Sequence, residues 1–367
     1  MKTKAAVLFK NKDLFQIKEI EVDELRSDEI LVRIVGVGVC HTDEVIRQNE
    51  GLSPFPIILG HEGSGVVEQV GSGVDDFKIG DYVVLSFSFC SKCDTCISGH
   101  PNVCETFGDV NFLGKIPRQV SPYQHNGEKL NVFFGQSSFS QYCVVRANDA
   151  VKVNVDNEKE LSLMGPLGCG IQTGCGTVLN ALKPAVGDDI LIAGAGGVGI
   201  AAVMGAKLAG CRNIIIIDIL DHRLELAKSL GATHIINGKR QNLVEEVLKI
   251  TNGKGVHFAL DATGVTPLIV QQLHCIRTLG TMCIIGYARK IEIDLFQDIV
   301  LKCIRIVPVS EGNSIPKIFI PKLVELYKQG KLPFDKLVEF YDFNDINQAF
   351  NDSASGKVIK PILLMPK

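Results

Sequence analysis

The chain has 367 residues, a length that suits two domains better than one, and its 46% hydrophobic and 22% charged residues support a large buried core. The formal net charge is −3 with no long basic run, which excludes nucleic acid and anionic membrane as expected partners. No apolar run reaches the roughly 18 residues that span a bilayer, and residues 1–10 lack the features of a secretory leader, so a soluble, cytoplasmic protein is expected.

In chain order, residues 1–150 read as mostly β. Short β-branched runs at 30–35, 65–70, 82–85 and 142–145 are separated by Gly, Asp and Ser turns, the pattern of a barrel-like or sandwich domain with long functional loops. Residues 108–135 carry many turn formers and little periodicity, and are expected to be a surface excursion. Near residue 170 the rhythm changes. Strand-like runs at 189–193, 213–217, 256–260, 281–285 and 303–309 alternate with helical patterns, among them 198–208 and 223–230, as in βαβ units on a parallel sheet. The tail predicts helices at 316–329 and 345–350 and a last strand at 358–364, and is expected to return to the first domain. The division expected is a catalytic domain over 1–165 and 312–367, interrupted by a dinucleotide-binding domain over 166–311.

Twelve cysteines occur. In a reducing compartment a clustered subset reads as a metal site rather than disulfides. Cys90, Cys93, Cys96 and Cys104 give C-x2-C-x2-C-x7-C, four thiolates that close a tetrahedral zinc site with no open position for chemistry. An iron–sulfur cluster is the competing metal; its motif has a shorter last spacing and a proline after the fourth cysteine, where this chain has Glu105. His100 is surplus and is expected on the surface. Cys211, Cys275, Cys283 and Cys303 lie in apolar runs and read as small core residues.

Residues 190–193 form a strand pattern that runs into Gly194-Ala195-Gly196-Gly197-Val198-Gly199 and then an apolar helix. Gly194 permits the tight turn, Gly196 lets a pyrophosphate approach the backbone, and Gly199 allows close helix–strand packing. A helix N-terminus favours the anion. Asp218 stands 19 residues beyond Gly199, at the end of the next strand pattern, where a carboxylate bonds ribose hydroxyls and repels a 2′-phosphate; NAD is therefore favoured over NADP. Arg223 follows and is a candidate for the ribose edge.

Three further residues suggest an open metal site. Cys40 opens Cys40-His41-Thr42-Asp43, His61 sits in Gly60-His61-Glu62-Gly63, and Cys169 sits in Gly168-Cys169-Gly170. Two thiolates and an imidazole with a free fourth position are a catalytic zinc set. Taken singly, His61 is more often an ordinary loop histidine.

Together these motifs resemble the zinc-dependent alcohol dehydrogenases of the medium-chain dehydrogenase/reductase superfamily, over essentially the whole chain. Gly165 to Gly174 and Gln136-Ser137-Ser138-Phe139 are similar to the aryl-alcohol (benzyl alcohol) members. The resemblance implies an α/β Rossmann domain plus a discontinuous, mainly β, GroES-like catalytic domain, two zinc ions per chain, NAD, and a homo-oligomer, dimer or tetramer. It implies catalytic zinc on Cys40, His61 and Cys169, with Glu62 as an occasional ligand or neighbour and Asp43 orienting His61. Thr42 takes the substrate proton, Thr173 and Val198 flank the nicotinamide with Gly197 in the turn, and His41 and Lys360 touch the pyrophosphate. Phe87, Phe89, Phe112, Phe133 and Phe134 fall in pocket-lining segments, about half of them expected to touch substrate, and suit a benzyl-type alcohol and its aldehyde.

Two departures stand out. Val45 occupies the position of a relay histidine, so the proton chain from Thr42 is incomplete. His41 stands where arginine is common and cannot make a bidentate phosphate contact, which predicts weaker binding of the reduced cofactor. The competing functions are an allylic, terpenoid or aliphatic alcohol dehydrogenase, chiefly an aldehyde reductase, or a catalytically silent dinucleotide-binding relative.

Overall fold

The computed structural model describes residues 1–48, 51–115 and 120–366. The chain forms two compact units. One holds Met1–Cys169, Ile315–Gln329 and Phe334–Lys367; the other holds Gly170–Ser314 and Gly330–Pro333. The interruption of the first unit by the second, and its resumption near the C-terminus, is the discontinuous arrangement expected of residues 312–367. The compact units divide at Cys169 and Ser314, against the 165/166 and 311/312 junctions read from the sequence, so all four candidate ligands around Cys40 fall in one unit.

The first unit is mainly β. Its long strand Glu29–Gly38 is buried at all but one position, as its β-branched composition requires. That strand pairs antiparallel with Gly63–Val70, with Tyr142–Arg146 and with Lys360–Leu364. The last pairing sets Ile362 opposite Gly38 and so brings the chain's end beside Cys40. A second sheet, built on Lys2–Leu8 and Gln16–Val22, is joined to the first by an isolated bridge between Ala5 and Ser140. Ala5, Val7, Ile30, Val32, Ile57, Phe87, Phe133 and Phe139 belong to one continuous apolar core.

Residues 108–135 do not form the surface excursion expected. They contain the helix Phe107–Asn111 and short strands at Tyr123–His125, Glu128–Lys129 and Asn131–Val132. Tyr123, Phe133 and Phe134 are buried in the core, and residues 116–119 lie outside the described residues. Burial of these aromatics outweighs the local turn chemistry.

The second unit is a doubly wound parallel sheet. Its strands run in the order His234–Asn237, Asn213–Asp218, Asp189–Ala193, Val256–Asp261, Ile276–Ile284 and Arg305–Pro308, with every neighbouring pair parallel. This order reverses direction at Asp189–Ala193, the Rossmann switch point. The helices Gly197–Ala209, Asp221–Leu230, Leu243–Ile250 and Thr266–Cys275 connect the strands. Leu191, Ala193, Ile215 and Ile217 are buried on one face of the sheet and Ile190, Ile192, Ile214 and Ile216 on the other, which explains the unbroken apolar runs. Cys275 and Cys283 are core residues as expected, Cys211 is half-buried, and Cys303 is exposed: it sits at φ +50° in a turn ahead of the edge strand, which its apolar neighbours disguise.

Candidate functional site

Cys90, Cys93, Cys96 and Cys104 converge, their sulfurs all within 4.8 Å of one another. Cys90 and Cys96 stand 3.9 Å apart, as do Cys93 and Cys104. Four sulfurs at ~2.3 Å from a tetrahedral zinc lie about 3.8 Å apart, so the cradle has the size of that ion. The backbone is already arranged for anionic sulfur: the Lys92 and Cys93 amides donate to Cys90 Sγ at 3.5 and 3.3 Å, and the Cys90 amide to Cys104 Sγ at 3.3 Å. The Thr95 hydroxyl, 3.2 Å from Cys93 Sγ, with nearby amides, brings that thiol down to about 6. Burial and the neighbouring Cys93 and Cys104 sulfurs push Cys96 up, so a proton stays there until a cation displaces it.

The second cluster is Cys40, His61, Glu62 and Cys169, with ligand atoms again within 4.8 Å. Cys40 lies between the end of strand Glu29–Gly38 and the helix His41–Gln48. Asp43, fully buried on that helix, fixes Cys40 and His61. Its Oδ2 accepts from the Cys40 amide at 3.2 Å, and its Oδ1 accepts from the Gly60 amide at 3.0 Å and lies 3.0 Å from His61 Nδ1. That contact puts the ring proton on Nδ1 and leaves Nε2 with a lone pair. His61 Nε2 is buried and has no hydrogen-bond partner among the described residues, facing two thiols. A buried nitrogen acceptor costs free energy unless something binds it, and a zinc ion between it and the two sulfurs meets that need. The donor set therefore fits the metal.

Without a metal, the charges in the cluster are held by one another. The Cys169 hydrogen bond brings the Cys40 thiol well below its ordinary value, against burial and with help from His61 and Lys360. Burial opposes charge on His61, but Asp43 and Cys40 outweigh it and push the imidazole up, so in the metal-free cluster a second ring proton competes with a metal for Nε2. Burial also pushes the Glu62 carboxyl up, against the pull of Lys360.

Lys360 departs from expectation. Its Nζ is buried and donates to both carboxylate oxygens of Glu62 at 2.8 Å and to the Val39 carbonyl at 3.2 Å. An ammonium has three donors, and all three are used here, so none is left for a pyrophosphate. Burial works against the ammonium and Glu62 overrides it, holding Lys360 above its ordinary range.

Thr42 is half-buried on the same helix, its Oγ1 3.7 Å from Cys40 Sγ. Val45 is half-buried one turn on, and His41 is exposed. Phe134 stacks on the His61 ring at 4.6 Å, and Phe133 meets it edge-on at 5.4 Å. Phe112 packs against both phenylalanines, and Phe87 meets the ring of Phe107, which in turn meets Phe134. Phe107, which sequence reasoning missed, thus joins the aromatic cluster; only its place just after Cys104 hinted at it.

In the second unit Gly194 has φ +94°, and a Cβ at Gly199 would lie 1.7 Å from the Gly194 carbonyl oxygen, so neither turn nor packing admits a side chain. A Cβ at Gly196 would meet nothing within 4 Å. The loop therefore leaves open space over an uncapped helix N-terminus at Gly197, a setting that suits an anion. Asp218 sits at the end of the next strand, its oxygens accepting from the amides of Ala195, Ile219 and Leu220, so it shapes the loop as well as facing it. Arg223 Nε is buried with no partner among the described residues. Thr173 and Val198 lie on the helices Gly170–Gly176 and Gly197–Ala209, and Thr173 Oγ1 is 3.4 Å from Glu311.

Residues 26–155 match the family model of the alcohol dehydrogenase GroES-like domain, and residues 197–329 that of the zinc-binding dehydrogenases. A geraniol dehydrogenase of Castellaniella defragrans is 38% identical, covering 98% of this chain and 97% of its own. An S-(hydroxymethyl)glutathione dehydrogenase of Komagataella pastoris is 36% identical over 100% and 98%. The crystal structure of benzyl alcohol dehydrogenase from Acinetobacter calcoaceticus superposes with a TM-score of 0.94 at 42% identity, covering 100% of both chains. Among the described residues no helix is long and apolar enough to cross a membrane. Sequence, fold and ligand set agree, and the chain belongs to the zinc-dependent alcohol dehydrogenases of the medium-chain dehydrogenase/reductase superfamily.

Proposed function

We propose that the protein interconverts a primary aromatic, benzyl-type alcohol and its aldehyde, with NAD as the hydride carrier and two zinc ions per chain. The observation that carries this reading is the aromatic wall on the metal-binding histidine: Phe134 and Phe133 flank His61, with Phe112 and Phe107 behind them. An aromatic substrate ring gains offset or edge-to-face contacts there that a short aliphatic chain cannot.

Cys40, His61 and Cys169 hold the catalytic ion, and the four-cysteine loop holds a structural one. Zinc, when bound, supplies a Lewis acid that lowers the pKa of the alcohol oxygen, and the nicotinamide supplies the hydride acceptor. The chain's own residues do the rest. Asp43 keeps the proton on His61 Nδ1 and the lone pair on Nε2. Thr42 Oγ1 accepts the substrate's hydroxyl proton. Val45 offers no acceptor one turn along, so the proton leaves Thr42 by another route. Gly194 to Gly199 receive the pyrophosphate, and Asp218 with Arg223 receives the adenosine ribose. Exposed Leu295, Phe296, Val300 and Leu301, leading to the edge strand Arg305–Pro308 with Ile306, support a homo-oligomer.

A second reading is an allylic alcohol such as a terpenoid, favoured by the geraniol dehydrogenase relative. Both substrates carry an sp2 carbon next to the carbinol. An NAD+-linked assay over benzyl, cinnamyl, geranyl and short aliphatic alcohols separates the readings. Benzyl alcohol ahead of geraniol supports the first, and geraniol ahead supports the second.

A further inference from the structure

Gln136 and its neighbours form a motif that the proposed chemistry leaves without a role. The segment from Phe133 to Ser138 is a tight, unusual turn. Phe134, Gly135 and Ser137 all have positive φ, at +52°, +65° and +53°, and two of these are not glycine. Such backbone persists only where surrounding bonds over-determine it. The bonds are present. Gln136 and Ser137 amides donate to the Phe133 carbonyl at 3.1 and 3.0 Å. Ser137 Oγ accepts from the Phe133 amide at 3.0 Å and donates to the Ile58 carbonyl at 2.8 Å.

This turn is fastened to the segment that carries His61. The Ser138 amide donates to the Gly60 carbonyl at 2.9 Å, and the Phe139 amide to the Leu59 carbonyl at 3.0 Å. A Cβ at Gly60 would lie 2.5 Å from the Phe139 nitrogen, and one at Gly63 would lie 2.7 Å from Ser138 Cβ. The glycines on either side of His61 and Glu62 are therefore what let the two segments touch. At the centre lies the Gln136 side chain, fully buried. Its Oε1 accepts from the Gly63 amide at 3.3 Å, and its Nε2 donates to the His61 and Ser86 carbonyls, both at 3.1 Å. One amide donor and two carbonyl acceptors fix which way the glutamine points. Ser86 carries the connection on: its Oγ donates to the Gly168 carbonyl at 2.7 Å, one residue before Cys169.

We infer that Gln136 is the positioning residue of the open metal centre: its buried amide ties the His61 loop, through Ser86, to the loop that carries Cys169, and so sets the spacing between ligands far apart in the chain. The inference rests on the reading of Cys40, His61 and Cys169 as a zinc site. Partners of this kind, which orient ligands without touching the metal, typically govern metal affinity 10- to 100-fold.

The test is zinc release from the purified enzyme to a colorimetric chelator, in which the open site and the four-cysteine site release in separate phases. Gln136→Met keeps the volume and removes all three hydrogen bonds. The expected result is roughly tenfold faster release from the open site, an unchanged four-cysteine phase, and an altered visible spectrum of the cobalt-substituted open site. Release at the parent rate with an unaltered cobalt spectrum overturns the inference, even if the melting temperature falls, because that is what a merely structural glutamine gives. Should Gln136→Met not fold, Ser86→Ala decides: at least threefold faster release from the open site supports the tie, and an unchanged rate overturns it. A parent enzyme that shows only the four-cysteine phase overturns the zinc reading itself, before any variant is consulted.

Discussion

Replacing Lys360 with methionine isolates the electrostatics of the catalytic cluster. The ammonium and the Glu62 carboxylate are both buried and lie 2.8 Å apart at both oxygens. The substitution keeps most of the side-chain volume but takes away the ammonium that donates to both oxygens of the buried Glu62 carboxylate. Removing one partner of such a pair typically costs about 3–5 kcal/mol, mostly the penalty on the charge left behind. Adding Glu62→Gln removes that charge and leaves an amide with imperfect partners, a penalty of roughly 1–3 kcal/mol, so the double variant should recover about 2 kcal/mol of the loss. The assay is equilibrium urea unfolding at pH 7, followed on the transition of the unit that carries the site, because a two-unit chain need not unfold in one step. The pH dependence has a definite sign. Lys360 is held above its ordinary 10.5, so the stability it contributes is complete below pH 10.5 and is lost as pH rises through its higher folded value. The gap between parent and variant should therefore hold from neutral pH to 10.5, narrow above it as Lys360 loses its proton, and narrow in acid as Glu62 gains one. A single variant that loses under about 1 kcal/mol, or a double variant no more stable than the single, refutes the reasoning.

Further expectations concern the other groups. Asp43→Asn removes the acceptor that fixes the His61 tautomer, and zinc affinity at the open site should fall about 10- to 100-fold by competition with a chelator; unchanged affinity contradicts the assigned role. In protein stripped of zinc, alkylation of Cys93 by iodoacetamide should rise with pH through a midpoint at about 6, since only the thiolate reacts; a midpoint at the ordinary thiol value removes the argument for a preformed anionic cradle. Gly196→Val enters open space and should leave the melting temperature nearly unchanged while NAD binding, read by calorimetry, is lost; Gly199→Ala meets a carbonyl at 1.7 Å and should destabilise the fold directly. Phe134→Ala should cost about 3–5 kcal/mol of stability for a buried ring and lower kcat/KM for benzyl alcohol more than for ethanol; an equal drop for both alcohols denies the ring a part in selectivity.

Local features were legible in the sequence because spacing alone encodes them. The four cysteines span fifteen positions, and the glycine turn, its helix and Asp218 follow one another directly, so each fixes its own geometry. The open metal cluster was legible only through resemblance, since its parts meet through strand pairing across more than a hundred residues. The partner of Lys360 could not be read at all. It lies 298 residues away, and the two meet because Lys360–Leu364 and Gly63–Val70 both pair antiparallel with Glu29–Gly38. The burial of Phe133 and Phe134 was hidden for another reason. Turn formers such as Asn126, Gly127 and Gly135 look like a surface loop, and nothing local shows that the turn at Phe133 to Ser138 is packed against His61.

The most direct test of the account is the ratio of NAD+-linked kcat/KM for benzyl alcohol to that for ethanol, measured on enzyme shown to carry two zinc ions per chain. The account predicts a ratio of roughly tenfold or more, the worth of one or two favourable ring contacts. Equal values for the two alcohols, or full activity in enzyme whose open site has been emptied of zinc, would contradict it.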